Sequence, residues 1–433
     1  MLRLLVVGLL LTAMIGTTAR AGNNDTVPMG DQAAVAAGAV VAAGDDCGSV
    51  AYNPAGLAGV DRDRISISAS LFEVRVFEIP GFLRTQTPNG LVETPAAHTA
   101  FDTVPPAVVV ARSLRSDLVL ALSLTVPSSE SVDTNRNANA SDGSTFTLRE
   151  NARNISTSAL YRSGVTLAWA PLSRLRVGAT LNFGLMRSSS LFAFELSALE
   201  ASGRRTFVSL VSGQQATAGG LGGILGVQWA ISRRIAAGLA LEPPLVGVFG
   251  SIRSENATFF SRTVAGQEPM VSENQSSTTD GAAGDAIGRF VSRLGVAYVA
   301  DWGWLSAQVD YRPTAPSVAN VRAGAIYQWS PTLRIGAGAF TDFDTSPPSA
   351  ALRFDFVGGT SGVLWRKPLP LQGAKRPLVL ATTLALRYAY GWGQAAAISA
   401  NPTTDDIDQF VTVTGSSGTI HEISLYIGSG VDY

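Results

Sequence analysis

The chain of 433 residues holds two histidines and one cysteine, the residue types that most often carry catalysis or bind a metal. A Ser-His-acid enzyme would have to use His98 or His421, and neither stands near a recognisable nucleophile motif. Two separated histidines and Cys47 are also too few for a tetrahedral metal site. The sequence therefore predicts no catalytic residue, no metal site and no cofactor, and we expect a protein that is not an enzyme.

Two other groups of residues suggest ligand chemistry. The run Gly219-Gly220-Leu221-Gly222-Gly223 is rich in glycine, but it opens a strand and leads into no phosphate-binding helix. Arg322, Arg334 and Arg387 occupy inward positions of strands, where they would meet a ligand carboxylate or an acidic side chain; we favour acidic side chains. The formal net charge of −1 argues against electrostatic binding of nucleic acid.

Alternating strands must position these residues. Apolar residues recur at every second position, which is the pattern of a half-buried strand, in Leu175 to Leu185, Leu221 to Ile231 and Val321 to Trp329. The apolar face ends on a tryptophan beside a short turn at Trp169, Trp229 and Trp329. A sandwich core has no reason to collect tryptophan at one end, whereas a bilayer interface favours an apolar ring with one polar N–H. The pattern predicts a transmembrane β-barrel.

The spacing of turns gives the number of strands. Short turns fall at Arg115-Ser116-Asp117, Ser173, Arg233, Asp301-Trp302-Gly303, Pro331-Thr332 and Pro368 to Lys375. Polar connections separate them, at Gly81 to Thr103, Ser128 to Ser156, Met186 to Gly220, Ser251 to Gly288, Pro313 to Asn320, Asp342 to Ser349 and Gly393 to Gly418. Short turns that alternate with longer loops are typical of bacterial outer-membrane barrels. We therefore predict an all-β antiparallel barrel of about fourteen strands over residues 65–433.

The two ends of the chain agree with export to that membrane. Arg3, the apolar run Leu4 to Ile15 and Ala19-Arg20-Ala21 predict a signal peptide at residues 1–21. The last strand ends on the aromatic Tyr433, an ending that barrel assembly machinery reads. In the first strand the apolar phase shifts between Leu71 and Phe72, which predicts a β-bulge.

Residues 22–64 lack strand alternation. The stretch Ala33 to Gly44 is made of small residues, and it is followed by Asp45, Asp46 and Asn53-Pro54-Ala55-Gly56-Leu57. The acidic pair and the Asn-Pro-Ala-Gly element, after a signal peptide and before a barrel, resemble the N-terminal hatch of the long-chain fatty acid transporters of the FadL type. The resemblance implies a hatch that plugs the barrel lumen, with Asn53, Pro54, Ala55, Asp45 and Asp46 in the gating segment.

The resemblance also implies a function. Members of that family pass hydrophobic molecules, fatty acids or aromatic hydrocarbons, across the outer membrane of Gram-negative bacteria and release them sideways through a gap beside a kinked third strand. Here that strand, Leu118 to Val126, has no Gly or Pro before Pro127, so the sequence does not place the gap. The unusually apolar Leu191, Phe192, Phe194 and Leu196 form either a capture groove or a strand above the membrane. We expect a monomer among outer-membrane lipids; a structural or adhesive barrel and a nonspecific porin are the alternatives.

Overall fold

Hydrogen bonding between neighbouring strands closes one antiparallel barrel in the computed structural model of the chain. The structure describes residues 28–87, 90–141, 146–281, 286–313, 317–345, 352–370, 377–401 and 411–433. The first strand pairs with both the second and the last, so the wall is closed. Within the described residues no helix is both long and apolar enough to cross a bilayer. The predicted signal peptide lies outside these residues and stays a prediction.

Seventeen strand segments make up the described part of the wall. They are β1 (Arg64–Thr87), β2 (Gly90–Arg115), β3 (Leu118–Ser141), β4 (Phe146–Leu172), β5 (Leu175–Glu200), β6 (Arg205–Ala230), β7 (Ile235–Glu242), β8 (Leu245–Thr263), β9 (Met270–Gly281), β10 (Ala286–Ile287), β11 (Val291–Ala300), β12 (Gly303–Arg312), β13 (Val318–Gln328), β14 (Leu333–Asp342), β15 (Leu352–Leu369), β16 (Leu378–Ala400) and β17 (Val411–Asp432).

These seventeen segments fill fourteen positions in the wall. β7 and β8 are the lower and upper parts of the seventh position, because both pair with β6. β11, β10 and β9 together make the eighth position, because they pair with β7 and β8 in turn. The predicted count of about fourteen strands is confirmed. The five short turns that fall in described residues also join the expected strands.

The apolar face of each strand points outward, as the alternation predicted. In β5 the exposed set includes Leu181 and Phe183, whereas Thr180 and Asn182 are buried in the lumen. Exposed tryptophans gather at the short-turn end of the barrel, at Trp169, Trp229, Trp302, Trp329 and Trp365. The indole N–H of Trp169 donates to Asp117 Oδ2 at 3.1 Å, so the polar edge of the ring is satisfied at that end. Such a belt marks a membrane interface.

Half of the wall rises far beyond the membrane. β11 to β14 have 10 or 11 residues, the length that crosses a bilayer, but β1 to β6 have 24 to 27. The extra residues amount to about 45 Å of sheet. The predicted polar loops 81–103, 128–156, 186–220, 251–288 and 393–418 were therefore wrong in large part, since these segments continue as paired strands. Their polar residues misled because a sheet standing in water needs no continuous apolar face.

The wall has local irregularities where the sequence suggested them. The pairing of β1 with β17 shifts between Ser70 and Phe72, which confirms the predicted bulge. Pro243-Pro244 separates β7 from β8, because proline lacks the N–H that the ladder needs. The pairing of β3 with β4 shifts between Thr125 and Ser128, on either side of Pro127.

Candidate functional site

The hatch segment, residues 28–63, lies in the lumen and forms short pieces of helix rather than strands. They are α1 (Asp31–Val35), α2 (Ser49–Tyr52) and a 3-10 helix (Pro54–Gly59). Asp45 and Asp46 connect the segment before α2 to α1 through hydrogen bonds to Gln32. Asp46 Oδ2 accepts from the N–H of Gln32 at 2.8 Å, and Gln32 Nε2 donates to Asp45 Oδ1 at 2.5 Å. The acidic pair therefore holds α1 against the segment that precedes α2.

Asn53 connects the hatch segment to itself and to the wall. Its Nδ2 donates to the carbonyl of Val41 at 2.8 Å and to that of Val227 in β6 at 3.0 Å. Its Oδ1 accepts from the N–H of Ala55 at 3.2 Å, which caps the 3-10 helix, and Pro54 occupies the first turn where no N–H is needed. The structure thus brings the five predicted hatch residues together at the plug.

Wall side chains that the sequence did not single out also bind the hatch segment. In β6, Gln228 Nε2 donates to the carbonyl of Gly44 at 3.0 Å; in β12, Gln308 Oε1 accepts from the N–H of Val41 at 3.2 Å. In β15, the hydroxyl of Thr360 accepts from the N–H of Ala37 at 2.9 Å. In β5, the hydroxyl of Thr180 donates to the carbonyl of Val50 at 3.2 Å. β5 and β15 occupy the fifth and the twelfth of the fourteen positions in the wall, on opposite sides of the barrel. The hatch segment therefore spans the full width of the lumen.

Glycines in the wall make room for the plug. A Cβ on Gly226 would overlap Asn53 Oδ1, and one on Gly178 would overlap the backbone at Pro54. A Cβ on Gly238 would likewise overlap the carbonyl oxygen of Val41. An alternating strand pattern predicts small polar residues inside a barrel, but only the docked segment explains glycine at these positions. The glycines of the wall and the hatch segment that packs on them therefore have complementary shapes.

Above the hatch segment the lumen is lined by packed phenylalanines. A buried cluster, which we call the phenylalanine cluster, consists of Ala37, Phe77, Ile79, Ala96, Ala100, Phe340, Phe354, Phe356, Ala389, Ala395 and Ile420. Ala37 belongs to the hatch segment, so the cluster rests directly on the plug. The guanidinium of Arg387 lies 4.7 Å from the centre of the Phe340 ring, where the ring face attracts a cation. This apolar lining is missing from the sequence prediction because its residues come from separate strands.

A second apolar group, which we call the outer cluster, fills the part of the barrel beyond the membrane. It consists of Leu83, Leu148, Ala152, Phe194, Leu196, Ala198, Val208, Phe260, Ile398 and Ala400. Among the predicted ligand residues, Phe194 and Leu196 are buried in it and Phe192 packs against it, whereas Leu191 is 40% exposed on the other face of β5. The structure shows the strand above the membrane that the sequence left as an alternative, with one face turned inward.

The end of β1 closes the outer mouth. The β1–β2 ladder shifts between Ile79 and Leu83, near Gly81 with φ 61°, and the chain then bends away from β17. Leu83 pairs in parallel with Ile398 of β16. Phe82 packs against both the outer cluster and the phenylalanine cluster. One apolar column therefore runs from the outer mouth down to the hatch segment.

The wall beside this column is parted between β2 and β3. Their ladder begins at Arg115 and Leu118 and, within the described residues, ends at Val108 and Leu124. Beyond that point β2 continues paired with β1, and β3 continues paired with β4 after the irregularity at Pro127. We name this unpaired boundary the seam. Ala96 and Ala100 of β2 belong to the phenylalanine cluster, so the column borders the seam.

The inward arginines follow two patterns. Arg322 Nε lies 2.9 Å from Asp310 Oδ2, and Arg387 Nη1 lies 2.9 Å from Glu422 Oε2, as we predicted for acidic partners. Arg334 differs, because its Nε donates at 2.6 Å to the neutral amide oxygen of Gln328. The prediction of an acidic partner for Arg334 was wrong.

His421 and Cys47, two of the residues considered for catalysis, lie in different surroundings. His421 Nδ1 is 2.9 Å from the hydroxyl of Tyr388 on the membrane-facing side of the wall. Cys47 is buried in the hatch segment among apolar side chains, and burial raises the pKa of its thiol to about 12. Within the described residues, no three His, Cys, Asp or Glu side chains are grouped so as to hold a metal ion.

The fold is a closed antiparallel β-barrel of fourteen strands, and hydrogen bonds to β5 and β15 hold residues 28–63 across its lumen. Among solved structures, a Pseudomonas aeruginosa FadL homologue aligns over 94% of this chain and 99% of its own, with a TM-score of 0.53 and 12% identity. A monoaromatic hydrocarbon channel, CymD, aligns over 94% and 98%, with a TM-score of 0.52 and 11% identity. No protein-family model and no curated protein matches the chain. The expected resemblance to the FadL type is confirmed for the fold.

Proposed function

We propose that this protein transports hydrophobic molecules across the outer membrane of a Gram-negative bacterium, with long-chain fatty acids as its substrates. The continuous apolar column carries this proposal. A water-filled pore gives an oily molecule no advantage over the water outside, whereas a column of phenylalanine and leucine side chains binds it by removing apolar surface from water. The fold shared with a FadL homologue supports the same function.

In the proposed path, substrate enters at the outer cluster and passes Phe82 to the phenylalanine cluster. The hatch segment blocks the direct route to the periplasm, since it crosses the lumen and is bonded to opposite sides of the wall. The seam offers a side exit into the bilayer, because the described parts of β2 and β3 form no ladder with each other there. Release into lipid keeps the molecule out of water throughout its passage.

The alternatives make different demands on the structure. A nonspecific porin needs an open lumen, which the hatch segment fills. A structural or adhesive barrel needs neither an apolar column nor a wall that parts beside it. The column also offers a reason to test aromatic hydrocarbons as a second substrate class, because four of its members, Phe77, Phe340, Phe354 and Phe356, present ring faces and edges that suit an aromatic ligand.

The deciding experiment measures uptake of labelled oleate, and of labelled toluene in parallel, by cells that produce the wild-type protein, the Asn53→Ala variant or no protein. We expect uptake above the empty strain for the wild type and a changed rate for Asn53→Ala. Equal uptake of both compounds by all three strains contradicts the proposal. Toluene uptake without oleate uptake reassigns the substrate to aromatic hydrocarbons.

The side exit has its own test. Pro127→Ala restores an N–H to β3 at the irregularity and should let more of β3 pair with β2, so uptake should fall. Pro171→Ala, at the short-turn end of β4, is the matched control and should leave uptake unchanged. If uptake is the same in wild type and Pro127→Ala, while hydrogen exchange shows new protection along β2, release does not use the seam.

A further inference from the structure

The short-turn end of the barrel holds a cavity of ≈ 380 Å³ that neither the apolar column nor the hatch contacts described above explain. Arg334 and Pro331 line it from the β13–β14 hairpin, and Arg366 and Val379 from β15 and β16. Asp61 and Arg62 line it from the linker between the 3-10 helix of the hatch segment and β1. The cavity therefore lies below the plug, between the hatch linker and the wall.

Two of its arginines have neutral partners instead of acidic ones. Arg334 Nε donates to Gln328 Oε1 at 2.6 Å, and Arg62 Nη1 donates to the carbonyl of Pro377 at 3.2 Å. Within the described part of the chain, neither guanidinium forms an ion pair with a carboxylate. These hydrogen bonds fix the two planar groups while leaving other N–H donors of each group available.

The surrounding charges do not cancel. Arg366 shares the carboxylate of Asp432 with Arg64, so these two arginines have one acidic partner between them. With Arg62, Arg334 and Asp61, four guanidinium groups stand against two carboxylates, a surplus of two positive charges.

Acids in the hatch segment do not remove this surplus. Asp31 and Asp46 act on Arg64 and its neighbours through space, and burial raises the pKa of both carboxyls, to about 7 for Asp46. A raised pKa favours the neutral form of each carboxyl. Among the residues that line the cavity, three arginines, Arg62, Arg334 and Arg366, face one carboxylate, Asp61, so the lining itself carries a positive surplus.

We propose that this cavity binds a small oxyanion, a carboxylate or a phosphate group, from the periplasmic side. A fixed guanidinium binds such a group through two parallel N–H bonds. The volume is near the lower end of the range for small-molecule sites and suits a small anion. An anion held between Arg62 and Arg334 joins the hatch linker to the wall below the plug.

The test is a calorimetric titration of the purified full chain in detergent, at low salt, with inorganic phosphate and with butyrate as separate probes. We expect at least one probe to bind, with an affinity lowered about tenfold or more by Arg334→Gln and by Arg62→Gln, because each removes charge-assisted hydrogen bonds. Arg233→Gln removes an exposed arginine from the β6–β7 turn, away from the cavity, and should leave the affinity unchanged. Arg334→Lys keeps the charge and should retain part of the binding.

The two probes separate the sources of the anion. Tighter binding of butyrate assigns the site to organic carboxylates, and tighter binding of phosphate assigns it to phosphate compounds. Failure of both probes to bind the wild type overturns the proposal, as does equal affinity in the wild type, Arg62→Gln and Arg334→Gln. The outcome is independent of oleate uptake, so this site and the transport function fail or survive separately.

Discussion

Replacing Asn53 with alanine should loosen the hatch segment by an amount that the structure sets. The substitution removes three hydrogen bonds, to Val41 O at 2.8 Å, to Val227 O at 3.0 Å and from Ala55 N at 3.2 Å. Each buried bond contributes about 1 kcal/mol net, and a group left without a partner costs more. Where opening unfolds the hatch segment and breaks all three bonds, we therefore expect its free energy to fall by about 3 kcal/mol, which is about a hundredfold increase in the open population.

The chain contains its own reporter for this opening. Cys47 is the only cysteine, and it is 2% exposed within the docked hatch segment. Because burial raises its thiol pKa to about 12, the docked thiol stays protonated and reacts slowly. The rate of maleimide labelling of purified barrel in detergent should therefore follow the open population, provided that reclosing is faster than labelling. We expect Asn53→Ala to label about a hundred times faster than the wild type.

Asn320→Ala is the matched control. Asn320 is also fully buried in the lumen and forms two side-chain hydrogen bonds where Asn53 forms three, but its partners are Asp342 and the N–H of Phe343 in the wall region. Its loss should leave the Cys47 labelling rate unchanged. Equal labelling of Asn53→Ala and wild type would refute the assignment of Asn53 to hatch docking. A similar increase in both variants would show a general loss of stability instead.

Further substitutions test the contact of Gly226 with the hatch segment, the closure of the outer mouth and the seam. Gly226→Ala introduces a Cβ into the place of the Asn53 side chain and should raise Cys47 labelling, whereas Gly415→Ala, with open space around it, should not. Burial raises the pKa of Glu150, which lies between Leu148 and Ala152 of the outer cluster and whose Oε1 accepts from the Thr85 hydroxyl at 2.6 Å. Closure of the outer mouth by β1 should be strongest at a pH below the ordinary pKa of a glutamate, and it should weaken as the pH rises through the raised pKa of Glu150. Hydrogen exchange of the β1 amides measures this closure, and Glu150→Gln should abolish its pH dependence. Pro127→Ala should slow oleate uptake by narrowing the seam; unchanged uptake with new β2 protection would contradict it.

The sequence predicts the wall well because period-two alternation is a local signal. The face that meets lipid in β5, β6 and β13 can be assigned from the identities of successive residues alone. The height of the strands beyond the membrane is not predictable in this way. In residues 186–200 the inward face carries Phe194 and Leu196, while three consecutive serines and Glu195 interrupt any lipid-facing pattern, so the segment resembles a loop.

The sequence predicts the residues that fill the lumen only where those residues are neighbours in the chain. Asn53, Pro54 and Ala55 are neighbours, and their role in the hatch segment follows from one short motif. Gln308 and Thr360 bind the same segment from β12 and β15, but each is an ordinary polar residue on an inward position. The phenylalanine cluster collects side chains from six strands, so no window of sequence contains it.

Strand pairing is interrupted at Pro243-Pro244 and at Pro127, and the strands continue differently beyond these two places. At Pro243-Pro244 the strands on both sides resume pairing with a register shift of one residue: β6 pairs with β7 and then β8, and β7 and β8 pair with β11 and β10. The side chain of Leu245, the first residue of β8 after the two prolines, packs against Gly184 and Gly222 at this break.

At Pro127, β3 resumes pairing with β4 alone, and within the described residues β2 and β3 do not meet again. A strand edge left unpaired in a bilayer carries several kcal/mol of unsatisfied backbone groups unless something covers it. The β2–β3 ladder from Arg115 to Val108 is shorter than the 10 or 11 residues of β11 to β14, so the seam begins within the membrane and continues above it, where water or a passing ligand can meet those groups. The first interruption is therefore a sealed kink, and the second is the place where we propose that the apolar column reaches the lipid.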